Sequence, residues 1–306
     1  MRARTLQSAS NTSDVNGGGT SFVKMHGLGN DFLIFDFTQL PLPDAVDWSR
    51  AAQKLCDRHT GVGADGLVLV LPSNRAAIRM HIFNSDGSEA RMCGNAARCV
   101  AVYARDAGLA TGGGAVPIEA KGATVNAEMV QEGEFSGQVR VDMGPPEFRP
   151  ASIPVIAEGD AVVGERRRLL AGEFEITCVS MGNPHCVIFV PDASSVDLEK
   201  LGPRIEHDPM FPDRTNVEFV EVNGEHDISV RVWERGAGAT LACGTGACAS
   251  LVASARRGLT ARSARVRLPG GTLLVEWDER TGRVFMTGPA TRVFTGKLAD
   301  HREWFR

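Results

Sequence analysis

The chain has 306 residues, 43% of them hydrophobic and 23% charged, with a formal net charge of -4. That length suits two hydrophobic cores better than one, and the slight acidity offers no basic surface for nucleic acid. No apolar run approaches the roughly 18 residues of a membrane span; residues 67–71 are only strand length.

Residues 1–20 are polar, rich in Ser, Thr, Asn and Gly, and without periodicity. They read as a disordered tail, and they lack the apolar segment of a secretory signal. Residues 22–36 predict a strand, a glycine turn and a second strand. Residues 47–59 predict a helix with Asp47 as N-cap. Residues 61–66 form a glycine loop feeding a strand over 67–71, and 76–83 predict another strand. That strand runs into Asn84-Ser-Asp-Gly-Ser-Glu-Ala-Arg-Met-Cys-Gly-Asn-Ala-Ala-Arg-Cys99, where a glycine-spaced loop turns into a helix at Cys93. The helix is expected from near Gly94 to near Gly108, which suits a C′ glycine. Strands follow over 116–130 and 138–143, and Pro145-Pro146 reads as a linker.

Beyond the linker the order returns. Residues 181–189 resemble 29–35, and Ile228-Ser-Val-Arg-Val-Trp233 stands in for Ile78-Arg-Met-His-Ile-Phe83. Cys243-Gly-Thr-Gly-Ala matches Cys93-Gly-Asn-Ala-Ala, and Gly258-Leu259 matches Gly108-Leu109, each 150 positions apart. Several matches in one order at one offset indicate duplication. We therefore expect one half over 21–146, joined by a C-terminal strand at about 292–306, and a second over 147–291. Two such halves would pack about a pseudo-twofold axis. Their equivalent loops would then face each other across a cleft, where ligands commonly bind. Residues 96–107 and 247–255 are apolar or small around most of the helical circumference, so each helix should be buried in the middle of its half.

The seven cysteines include no Cys-x-x-Cys pair. Free thiols in a reducing compartment explain this better than a disulfide framework, and we read the protein as cytoplasmic. A cysteine at a helix N-terminus sees unpaired N–H groups and a partial positive charge, which should lower its pKa. The same N–H groups suit a carboxylate or a developing oxyanion. Two facing units of this kind could remove an α-proton from one face of a carbon and return one to the other. Cys56, Cys99, Cys178, Cys186 and Cys248 read as small core residues. A zinc site lacks the paired spacing it needs. A cysteine hydrolase using His185 would leave the duplicated cysteine idle. Residues 61–66 precede a strand and do not match a dinucleotide fingerprint.

Asn84-x-Asp-Gly-Ser-x4-Cys-Gly-Asn-Ala-x-Arg98 resembles the signature of diaminopimelate epimerases. So do Met25-x-Gly-x-Gly-Asn-Asp-Phe32, Arg58-His-x-Gly-x-Gly-x-Asp65, Gly182-Asn-Pro-His185, Asn216-Val217, Glu234-Arg-Gly-Ala-Gly238 and Ala242-Cys-Gly-Thr-Gly-Ala247. The resemblance covers about residues 22–296. It implies an α/β (α+β) fold of two pseudosymmetric halves. Each half would be a curled, mostly antiparallel sheet or barrel around a central helix, with the site in the cleft between them. It implies an enzyme of lysine and peptidoglycan synthesis that interconverts LL- and meso-diaminopimelate, with no cofactor and no metal, usually as a homodimer. It places Cys93 and Cys243 as the acid/base pair, with Cys93 taking the proton from the LL isomer. Gly94, Asn95, Gly244 and Thr245 would hold the reacting carboxylate. Asn30, Asn84, Asn183, Asn216, Glu234 and Arg235 would hold the remaining amino and carboxylate groups. His185 and Glu234 would tune the thiols or orient the substrate.

Four positions depart from the common pattern. Gly66 stands where many members have a substrate-contacting Gln, Ala239 replaces a common Glu, Ala96 a common Gly, and Phe294 a dimer-contact Tyr. Two other activities fit part of the pattern. A racemase of a proline-type acid would not need Glu234 and Arg235 together. A non-catalytic ligand-binding descendant would keep its binding without either cysteine.

Overall fold

The structure, a computed structural model, describes residues 20–42, 46–110, 114–134, 136–298 and 304. The expected tail over 1–20 lies, but for Thr20, outside the described residues. The first part of the chain forms β1 (Ser21–Gly27), β2 (Asn30–Asp36), α1 (Trp48–Cys56), β3 (Gly66–Leu71), β4 (Ile78–Asn84), β5 (Glu89–Ala90) and α2 (Gly94–Asp106). It continues with β6 (Val116–Ala120), β7 (Ala123–Glu132) and β8 (Ser136–Gly144). The second part forms β9 (Val163–Leu169), β10 (Gly172–Ser180), β11 (Pro184–Phe189), α3 (Leu198–Glu206), β12 (Asn216–Gly224) and β13 (Asp227–Glu234). It ends with β14 (Gly238–Ala239), α4 (Gly244–Arg256), β15 (Ser263–Leu268), β16 (Gly271–Trp277) and β17 (Val284–Lys297).

Two expected elements differ in extent. The helix after Asp47 stops at Cys56, because the Asp57 side chain accepts the N–H groups of His59 and Thr60 and turns the chain instead. The strand expected over 116–130 is a hairpin, broken at Lys121-Gly122, where Gly122 takes a positive φ of 88°.

Eight strands close a barrel in the order β1–β2–β3–β4–β6–β7–β8–β17 and back to β1. The second series runs β9–β10–β11–β12–β13–β15–β16–β17. The parallel pairs fall at equivalent places, β2 with β3 and β4 with β6 in one, β11 with β12 and β13 with β15 in the other. The remaining barrel pairings are antiparallel, so the predicted mostly antiparallel α/β architecture is the one observed. β17 belongs to both series. Its residues from Val284 to Thr287 pair with β16, and those from Thr291 to Lys297 pair with β1.

The alternation of the strands explains the layers. In β3, Val68 and Val70 face α2 while Leu67, Leu69 and Leu71 face the cluster around α1. Both faces are covered, so the run is apolar throughout. α2 is buried from Gly94 to Ala104 and α4 over most of its length, as helices without a polar face must be. Their side chains and the inward residues of both sheets form one continuous apolar cluster. The β1–β2 hairpin interlocks the two series. Leu28 and Gly29 both take positive φ, 57° and 84°, as a two-residue hairpin turn requires. The Leu28 carbonyl then lies so close to Gly270 that no side chain fits there.

Candidate active site

The two central helices begin at the same place. A Cβ on Gly94 would lie 2.7 Å from Met286 Cε. One on Gly244 would lie 3.1 Å from Met286 Sδ and 4.0 Å from Gly94 Cα. The helix starts therefore meet beside Met286 of the shared strand, with Met143 of β8 also against Gly94, and glycine is what allows the approach. Cys93 and Cys243 are the N-caps, both on extended backbone (φ -140° and -117°). Cys93 is half-buried and Cys243 is 5% exposed.

Around Cys93 the partners are amides. Its Sγ lies 3.9 Å from Asn30 Oδ1, and the same oxygen accepts from Asn95 Nδ2 at 3.2 Å. Asn95 Nδ2 also reaches Ala242 O at 3.4 Å, tying the first helix to the residue before the second cysteine. Asn30 donates from Nδ2 to Asp65. Behind it lies a charged cluster in which Arg58 pairs with Asp31 and Asp65, and buried Lys24 pairs with Asp31.

Around Cys243 the partners form a chain. Its Sγ accepts from Gly246 N at 3.4 Å and lies 3.5 Å from Thr245 Oγ1. Thr245 Oγ1 accepts from Asn183 Nδ2 at 3.2 Å, and Asn183 Oδ1 lies 3.0 Å from His185 Nε2. His185 Nδ1 is 2.7 Å from Glu218 Oε1, and both side chains are fully buried. With Asn183 Oδ1 accepting, His185 donates from Nε2. Glu234 accepts from Thr240 Oγ1 at 2.6 Å, and its negative field reaches both thiols.

The acidity expected of the helix starts is overridden. Burial pushes the Cys93 thiol up, although the N–H groups of Ala96 and Asn95 and the charge of Arg98 pull it down. Burial pushes Cys243 up further, reinforced by Glu234 and opposed by Thr245 and Gly246. Helix-end partial charges are worth about 1 kcal/mol, less than the cost of burying a thiolate. Burial also raises Glu218, while His185 opposes the shift.

The other expected residues lie at varied distances from this centre. Asn216 is buried, donating to Pro184 O at 2.8 Å and accepting from Arg235 N at 2.9 Å, so it shapes the rim. Arg235 is exposed, with its guanidinium on Asp213 O at 3.0 Å. Asn84 is exposed at the end of β4 and donates to Ser88 within its own turn. At Gly66 a side chain would meet Phe83 O at 2.9 Å and the Phe32 ring, so the backbone is packed too tightly for a Gln. Two residues carry no role in the sequence reading. Glu218 is an acid in the inward register of β12, between Asn216 and Val220, where alternation calls for an apolar residue. Arg98 is fully buried on α2. A charge at a core position of a strand or helix was the available signal.

A family model described as diaminopimelate epimerase matches residues 22–149 and 177–293. A relative from Desulfitobacterium hafniense named diaminopimelate epimerase is 51% identical over 278 residues, covering 91% of this chain and 98% of its own. One of the same name from Desulforudis audaxviator is 53% identical over 278 residues, covering 90% and 98%. Among solved structures, a Bacillus anthracis phenazine biosynthesis protein of the PhzF family aligns with a TM-score of 0.65 at 17% identity, covering 91% of this chain and 98% of that one. A hydroxyproline epimerase from Agrobacterium vitis, with trans-4-OH-L-proline bound, aligns at 0.66 and 16% identity, covering 91% and 90%. Such distant structures share the fold alone. The family match spans both strand series and both cysteine loops, and with relatives near half identity it settles the family: the chain belongs to the diaminopimelate epimerase family.

Proposed function

We propose that this protein interconverts LL- and meso-diaminopimelate without a cofactor, using Cys93 and Cys243 as a pair of bases. The observation that carries the reading is the meeting of two helix starts from the two strand series, each capped by a cysteine. For the LL isomer, the Cys93 thiolate takes the α-proton. The electron pair left on carbon spreads into the adjacent carboxylate. N–H groups of the first turns of α2 and α4, with Asn95 and Thr245, hold that carboxylate and its growing charge. The Cys243 thiol then gives its proton to the opposite face. One C–H bond breaks and one forms, and the product leaves Cys93 as thiol and Cys243 as thiolate. Glu234, Arg235 and the rim asparagines hold the distal ammonium and carboxylate, and the Asn183–His185–Glu218 chain orients Thr245 beside Cys243.

The reading places the enzyme in the cytoplasm, in lysine and peptidoglycan synthesis, as a homodimer. No helix among the described residues is long and apolar enough to cross a membrane. Val293 and Phe294 are exposed on β17, at the edge where the family resemblance puts the dimer contact. In deuterated water, LL-diaminopimelate should yield meso product labelled at the inverted α-carbon. Product without that label would exclude proton exchange through the thiols. Under mild oxidant, activity should fall reversibly as Cys93 and Cys243 cross-link. A mass spectrum joining Cys93 only to Cys99 would contradict the facing arrangement.

A further inference from the structure

The two thiols are not equivalent, because one buried charge is present on α2 and missing from α4. Arg98 is fully buried on α2. Its Nε donates to Pro289 O at 3.1 Å, one terminal nitrogen donates to Asn95 Oδ1 at 2.8 Å, and the other lies 3.7 Å from Met286 Sδ. Gly27 leaves the space it occupies, since a Cβ there would lie 2.8 Å from a guanidinium nitrogen. At the equivalent position of the repeat, 150 residues on, stands Cys248.

A guanidinium stays protonated in a protein, and a buried charge without a counter-charge is costly. Among the described residues no carboxylate forms an ion pair with Arg98. The ionisable groups whose fields favour its charge are the thiols of Cys99, Cys93 and Cys248. Cys99 and Cys248 are wholly buried, and burial pushes both up to about 12. Cys93 alone of the three is partly open, and the N–H groups of Ala96 and Asn95 point at it. We propose that Arg98 is the positioning charge that places the resting thiolate on Cys93, leaving the single shared proton on Cys243. This rests on the two-thiol reading above and adds to it the buried charge that keeps Cys93 ionised before substrate binds.

The surroundings of each sulfur agree. Cys93 faces Arg98 and Cys99 from its own helix, Glu234 from β13 and the neutral Asn30 from β2. Behind Asn30, Asp31 and Asp65 are balanced by Lys24 and Arg58. Cys243 faces Glu234 from β13, Glu218 from β12, and His185 from β11 through Asn183 and Thr245. Glu234 acts on both thiols and so does not discriminate. Arg98 acts on Cys93, and Glu218 acts on Cys243. Arg98 also locks the Asn95 amide so that its nitrogen points at Asn30 and Ala242, which joins the charge to the geometry of the cleft.

The test is alkylation of the full chain by iodoacetamide without substrate, across a pH series. Mass spectrometry follows the Cys93 and Cys243 peptides separately. Only the thiolate sulfur displaces iodide, so each rate reports its own ionisation. The midpoint for Cys93 should lie below that for Cys243 by about one pH unit or more. Arg98→Met should raise the Cys93 midpoint by about one unit or more and leave that of Cys243 in place. A shared midpoint, a lower one for Cys243, or an equal shift of both in Arg98→Met would overturn the proposal. If Arg98→Met does not fold, the comparison within the unmodified protein decides. Labelling needs no turnover. Failure to epimerise diaminopimelate, assayed on the same preparation, would sink the proposed function without moving either midpoint.

Discussion

Asp31 and Gly94 illustrate how single residues hold the site. Burial alone would raise the Asp31 pKa, but hydrogen bonds from Arg58 and Lys24 overcome it and bring the value from 3.8 to about 2. Its folded pKa is below the unfolded one, so its contribution is complete above about pH 4 and is lost as pH falls through about 2. Asp31→Asn should cost about 3 kcal/mol in urea unfolding at neutral pH. The gap between variant and parent should close over that acid window. A gap that persists unchanged to pH 2 would mean the pair is not what stabilises the rim. Gly94 has no such electrostatic part. Gly94→Ala should destabilise by about 1–3 kcal/mol, because its methyl meets Met286 Cε. Adding Met286→Ala should couple favourably in a double-mutant cycle, and simple additivity would show that the helix starts have room to part.

Paired strands show where duplication stopped being symmetric. In the first strand series Phe32 pairs with Gly66, and in the second His185 pairs with Asn216. Two residues further on, Val68 and Glu218 occupy equivalent inward positions. The buried pair His185–Glu218 thus stands where its counterpart is Phe32 and Val68, both buried and apolar. Removing one partner of a buried ion pair costs about 3–5 kcal/mol, while replacing both by apolar residues is often neutral. Glu218→Val alone should therefore destabilise strongly, and His185→Phe with Glu218→Val should recover most of the loss. Epimerase activity should stay low in the double variant, because Asn183 and Thr245 lose their anchor. Recovery of activity together with stability would show that the pair serves packing only.

Over the whole molecule, β17 joins what duplication made. Thr287 pairs with Leu274 of β16 on one side and Arg140 of β8 on the other. A proline there removes a donor from a central strand. Thr287→Pro should lower stability by at least about 3 kcal/mol, and hydrogen exchange should report the loss in α2 and α4 alike. Protection lost in one helix only would indicate that the series fold independently despite the shared strand.

How much of this could be read from the chain follows from what each pattern depends on. The repeat, the hairpins, both central helices and the cysteines at their starts are local or periodic features, written in glycine spacing and apolar runs. The motif resemblance carried the family with it, and with the family the residues proposed to bind the substrate. The ionisation of the thiols was not legible, because it depends on burial, and burial depends on every strand wrapped around the helix. Nor were the surroundings of Arg98 and Glu218, since Pro289 and Met286 reach the one and His185 the other from elsewhere in the chain. A sequence names the groups that can ionise; only the closed barrel and the sheet joined to it decide how much water each one keeps, and therefore which of them bears the charge.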